Sequence, residues 1–180
     1  MRNVKHLIAL FAVAAASTSC GPRLGRSPVY LVVDLLEGAS GNPVSSDVMT
    51  NGTFVADTAR ATLRAELKDP TNLNPTPMND VTVSQYHVRY RRSDGRNVEG
   101  IDVPFAFDGA STATVQVLGS TTLTFELVRA VAKTESPLAG LAGSFTTIAE
   151  VTFYGRDQAG SAVTVSGQIQ VDFANFQDSN

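Results

Sequence analysis

The chain has 180 residues, with 14 Lys and Arg against 17 Asp and Glu and a formal net charge of −3. That balance argues against a nucleic-acid footprint, which needs a concentrated basic patch. One cysteine and two histidines are too few ligands for a zinc or copper centre, and a single cysteine cannot form an internal disulfide.

The chain begins with a short basic head holding Arg2 and Lys5, followed by an apolar run over residues 7–16 and the small residues Ser17, Thr18 and Ser19 before Cys20. This is the three-part layout of an export signal. As a helix the apolar run reaches only about 15 Å, half of a hydrocarbon core of about 30 Å, so residues 1–19 are predicted to be a removable helical signal peptide. The Ser-Thr-Ser-Cys stretch resembles the lipobox of bacterial lipoproteins, with Ser17 where an aliphatic residue is usual. In that class the cysteine receives a thioether-linked diacylglycerol after cleavage directly before it.

The resemblance implies a membrane partner through a lipid anchor on Cys20 and a place in the bacterial cell envelope. Two acyl chains suffice for stable attachment. Gly21, rather than Asp, resembles the pattern of lipoproteins sent on to the outer membrane in hosts that have one. Ordinary secretion with a free Cys20 is the competing reading. Removing residues 1–19 takes away Arg2 and Lys5 and no acid, so twelve basic side chains face seventeen acidic ones and the net charge becomes −5. Residues 20–28 then form a tether of at most about 25 Å, and residues 29–176 suit one domain with a real core.

Residues 29–36 are apolar on nearly both faces, which predicts a central first strand covered on each side. Residues 37–53 form a Gly, Ser, Asn and Pro-rich connection with room for a short edge strand near residues 46–50. From Ala59 the pattern alternates strictly, with Ala61, Leu63, Ala65 and Leu67 on one face, and Asp69-Pro70 ends the run. The third strand has Val81, Val83, Tyr86, Val88 and Tyr90 inward. The change of parity between Val83 and Tyr86 predicts a bulge at Ser84-Gln85.

A charged turn region over residues 91–100 precedes predicted strands at residues 103–107, 112–118 and 122–132. The closing hairpin has Ala149, Val151 and Phe153 leading into a turn over residues 155–160. Val163, Val165, Ile169, Val171 and Phe173 share one parity on the return strand, and Gly167 keeps that register. Seven or eight alternating strands without a long amphipathic helix predict an all-β, antiparallel sandwich. The closing hairpin, with its Asp-Gln-Ala-Gly turn, resembles the last two strands of the immunoglobulin-like domains of bacterial surface proteins. That likeness covers residues 147–173 and implies an Ig-like topology without carrying any functional residue across. The Cys-Trp-Cys core of antibody domains is absent.

His87 is the one histidine outside the leader, predicted on an outward face beside Arg89 and Arg91. No nucleophile-elbow sequence gives it a catalytic partner. Asp94, Glu99, Asp102 and Asp108 supply oxygens in one loop-rich stretch, but their spacing matches no calcium loop. No cofactor motif is present. The sharpest local feature is Arg89, Arg91, Arg92 and Arg96 within eight residues. Guanidinium forks there would grip phosphate or carboxylate groups, or pair with Glu and Asp of a neighbouring strand. Tyr154 is the outward tyrosine, a weak glycan platform.

These features favour a non-enzymatic module that meets a protein partner in the envelope through loops at one end or an exposed strand edge. An anionic ligand held by the four arginines is the alternative. A hydrolase built on two facing carboxylates is a third.

Overall fold

A computed structural model describes residues 26–39, 41–71 and 74–176. The predicted signal helix, Cys20 and most of the tether fall outside the described residues. Eight strands follow in order: β1 (Val29–Gly38), β2 (Val44–Asp47), β3 (Asp57–Leu67), β4 (Val81–Arg91), β5 (Phe107–Val115), β6 (Ser120–Val128), β7 (Ser144–Asp157) and β8 (Ala162–Ala174). Among the described residues the only helical turns are short 3-10 turns at Pro77–Asn79 and Val131–Thr134.

The protein is all-β, with a three-stranded sheet in the order β1-β3-β6 and a five-stranded sheet in the order β2-β8-β7-β4-β5. The sheets face one another across a shared core. Tyr86 and Phe125 meet edge to face at 5.1 Å, Phe125 and Phe153 at 5.3 Å, and the Tyr90 hydroxyl donates to the Leu127 carbonyl at 2.5 Å. Each fully buried Val, Leu, Ile or Phe side chain contributes about 1.5–3 kcal/mol. Such a core can hold the domain without a disulfide.

Alternation places the side chains as read from the sequence in β3, β4 and β8. Ala61, Leu63 and Ala65 are buried, as are Val81, Val83, Tyr86, Val88 and Tyr90, and Val163, Ile169, Val171 and Phe173. The β4 register shifts between Val83 and Gln85 against both neighbours, so the expected bulge is present.

Several expectations are corrected. The pairing is not wholly antiparallel, because β2 runs parallel to β8, with Val44 opposite Val171. Nor is β1 central: it is an edge strand, paired only with β3. Its apolar residues fall on both parities because the register shifts between Val33 and Leu35. Val29 and Leu31 point inward before the shift and Leu36 after it, as a bulge requires.

The strands expected at residues 103–107 and 112–118 are instead one strand, β5. Gly109 lies within β5, where Tyr86 takes the space of a side chain: a Cβ there would stand 2.2 Å from Tyr86 Cζ. Gly155 likewise belongs to β7 rather than to the closing turn. There a Cβ would meet the Thr82 carbonyl oxygen at 2.7 Å. β6 stops at Val128, short of the expected residue 132, and the chain turns so that Lys133 enters the interior.

Candidate interaction surface

The register sorts the loops into two ends. Val29 lies opposite Leu67, Val81 opposite both Val115 and Asp157, and Arg156 opposite Ala162. The start of β1 therefore shares one end, here termed proximal, with the β5–β6 and β7–β8 turns. Asp57 lies opposite Val128, Arg91 opposite Ile148, and Ala174 opposite both Ser144 and Asp47. Residues 48–56, 92–106 and 129–143 thus cluster at the other, distal end.

Of the thirteen large hydrophobic residues that stand exposed among the described residues, eight belong to the distal end. Val98, Ile101 and Phe105 come from one loop, Met49, Phe54 and Val55 from a second, and Val131 and Phe176 complete the group. Single exposed apolar residues are ordinary, but a concentration of them is the mark of a binding surface.

The loops that carry these side chains are built. Val98 accepts hydrogen bonds through its carbonyl from Asp102 N at 2.8 Å, its own N–H donates to Asp102 Oδ2 at 3.0 Å, and Gly100 N donates to the Val103 carbonyl at 2.8 Å. Val103 is buried beneath this turn, while Ile101 is 68% exposed above it. Phe105 lies against Gly100, whose φ is +75° and where a Cβ would meet Phe105 Cζ at 2.4 Å. Glycine satisfies both the left-handed backbone and the ring contact.

Residues 129–143 are tied to β2 and to the start of β3 by an ion pair whose lysine is buried. Lys133, 1% exposed, places Nζ 3.0 Å from Asp57 Oδ2 and donates to the Asp47 carbonyl at 2.6 Å. Ser46 Oγ donates to the same Asp57 oxygen at 2.6 Å. Asp47 in turn accepts from Thr50 Oγ1 and from Phe176 N. The ammonium thus joins β2, the start of β3 and the 3-10 turn behind Val131.

The arginines named from the sequence divide into separate contacts. Arg92 and Arg96 both donate to Asp94 at 2.8 Å, and these bonds hold the Asp94 carboxyl well below the usual carboxylate range. Arg92 also lies 4.9 Å over the Phe145 ring. Arg91 pairs with Glu150 of β7 at 2.9 Å, the cross-strand arrangement weighed above. Arg89 is exposed, and among the described residues it makes no ion pair. Arg129, which the sequence did not single out, stacks on Phe107 at 5.3 Å.

His87 Nδ1 lies 2.9 Å from Asp108 Oδ1 on the outer face of the larger sheet. Asp102 closes the 98–103 turn, and Glu99 Oε2 lies 3.5 Å from Ala106 N. Asp94, Glu99, Asp102 and Asp108 therefore serve separate partners, and no three metal-binding side chains converge among the described residues. Tyr154 is exposed and borders a shallow depression of 350 Å³ with Gln85 and Asp108.

Lys133, Asp57 and Ser46 were missed because residues 122–132 read as a continuous strand. The distal apolar group did leave a signal. Val98 sits in the charged turn region read over residues 91–100, outside any predicted strand, whereas Phe105 falls within the strand expected at residues 103–107.

No protein-family model matches the chain, and no curated protein matches it. An X-ray structure of a Northeast Structural Genomics Consortium target is similar with a TM-score of 0.40 and 11% identity, over 87% of this chain and 95% of that one. A likeness at that level carries no argument about activity.

Proposed function

We propose that this chain is a non-enzymatic envelope lipoprotein, anchored through Cys20, whose Ig-like sandwich offers its distal loops to a protein partner. The observation that carries the reading is the placement of eight exposed apolar side chains at the end opposite the start of β1. A lipid at Cys20 would hold the proximal end at the bilayer, because the tether reaches only about 25 Å. The distal end would then face outward. Strand order supports the Ig-like topology: β2 crosses to run parallel to β8 at the edge of a five-stranded sheet that packs on β1-β3-β6. The ion pairs and turns beneath the loops hold the apolar side chains in place before binding, which lowers the ordering cost of association.

The test is position-specific photocrosslinking in the native envelope, with a photoreactive residue at Ile101 and a control at Leu118 of the proximal end. A discrete adduct from Ile101 and none from Leu118 is expected. Adducts from Leu118 alone, or none from either Ile101 or Phe54, would contradict the reading.

Arg89 favours a second reading, in which an exposed guanidinium without an ion pair among the described residues takes an anionic ligand. Unchanged phosphate binding in a variant carrying Arg89→Ala and Arg91→Ala would sink it.

A further inference from the structure

We propose that the proximal end is itself a docking surface for the lipid bilayer, carried by Leu118, Met78 and Tyr30, so that the domain rests on the membrane instead of hanging from it. The inference rests on the anchor at Cys20 proposed above and adds what the domain does once it is held there.

The chain leaves the proximal end at a clamped point. Lys68, which follows β3, donates from Nζ to the Ser27 carbonyl at 2.8 Å and from its backbone N–H to the Pro28 carbonyl at 2.8 Å. Ser27 is buried, and its Oγ accepts from Val29 N at 3.2 Å. Seven residues, 20–26, separate this clamp from the anchor point, and they reach at most about 25 Å. A tether this short gives an effective concentration on the order of mM. Even a weak contact between the proximal end and the bilayer is then populated.

The turns at this end form one body, joined by Asp80. Its N–H donates to the Pro77 carbonyl at 3.1 Å, its Oδ1 accepts from Val117 N at 2.9 Å, and its carbonyl accepts from Gln158 N at 3.2 Å. The 3-10 turn that carries Met78, the β5–β6 turn that carries Leu118 and the β7–β8 turn are therefore held in fixed relation.

Leu118 is the outlier among them. Its φ is +59°, in the left-handed region where a leucine is costly and glycine or asparagine is usual. Its N–H donates to the Ala65 carbonyl at 2.8 Å, which fixes the turn against β3. Yet its side chain is 56% exposed, so core packing does not account for a leucine there. A strained residue without a packing role points to a use at the surface. Met78 is exposed on the adjoining turn, and Tyr30 is exposed at the second position of β1. Leucine and methionine suit the boundary between headgroups and acyl chains, and tyrosine settles there with its hydroxyl toward water. Arg26, exposed beside the clamp, adds a cation for anionic headgroups. Lipid contact at Leu118 captures no protein, so the crosslinking comparison with Ile101 is unaffected.

In the test, the mature chain is coupled through the thiol of Cys20 to a maleimide-bearing phospholipid in vesicles of phosphatidylethanolamine and phosphatidylglycerol. The coupling supplies the anchor whether or not a host adds one. An environment-sensitive fluorescent residue replaces the exposed Gln116 of the β5–β6 turn or, in a second sample, Ile101, and brominated acyl chains serve as quencher. Quenching at residue 116 and none at residue 101 is expected. A variant carrying Leu118→Asp and Met78→Asp should lose the quenching at residue 116. Both side chains are exposed, and aspartate accepts the left-handed backbone better than leucine, so this variant keeps the fold. No quenching at residue 116, equal quenching at both positions, or quenching that survives the double substitution would overturn the proposal. Failure of a host to lipidate Cys20 is a separate result, read from the mass of the mature protein.

Discussion

Lys133 Nζ and Asp57 Oδ2 form an ion pair 3.0 Å apart, with the lysine sealed from solvent and Ser46 holding the same carboxylate oxygen. Replacing such a pair by apolar groups is often tolerated, but removing one partner strands the other charge at a cost of about 3–5 kcal/mol. Asp57 keeps 22% of its side chain exposed and the Ser46 bond, so Lys133→Ala should lower the free energy of unfolding by about 1–3 kcal/mol, read from urea denaturation midpoints. An effect below about 1 kcal/mol, the range of an exposed pair, would mean that water reaches the site.

Tyr86 and Gly109 make the second dependence. The tyrosine ring occupies the space where a side chain at residue 109 would stand, 2.2 Å from the ideal Cβ position. Gly109→Ala should cost about 1–3 kcal/mol through overpacking. Gly143→Ala, where nothing lies within 4 Å, should stay within about 0.5 kcal/mol. Equal effects at the two positions would remove the packing explanation.

Asp94 gives a pH prediction. Its pKa is depressed, first by the hydrogen bond from Arg92 and then by that from Arg96. A carboxylate depressed in the folded state contributes order above its unfolded pKa and loses it as pH falls through the folded value. At about pH 3.9, where an ordinary Asp is half protonated, the Asp94 carboxyl should still be ionised, as its ¹³C resonance would report. Half-protonation at that pH would mean that the two arginines do not hold it.

Much of the fold was legible because alternation is a local property. The inward residues of β3, β4 and β8 could be read directly, and the β4 bulge followed from a parity change between Val83 and Tyr86. The same parity change in β1 was hidden by a run so apolar that both faces looked buried. Gly155 read as a turn residue because the sequence does not show that the Thr82 carbonyl presses against it. The parallel pairing of β2 with β8 joins residues far apart in the chain, and no local pattern encodes it. The arginine cluster was visible, but its division between Asp94 and Glu150 depends on strand register. Lys133 was invisible as a buried residue because nothing local announces that its partner is Asp57.

In the proposed function the proximal end lies at a membrane and the apolar loops point away from it, and this rests on the chemistry of Cys20. The most direct measurement is the intact mass of the mature protein extracted from membranes of a bacterial host, beside a Cys20→Ala control. A mass beginning at Cys20 and increased by a diacylglyceryl group, absent in the control, is the predicted result. An unmodified mass, the same in both apart from the substitution, would contradict the anchor and with it the outward direction of the distal loops.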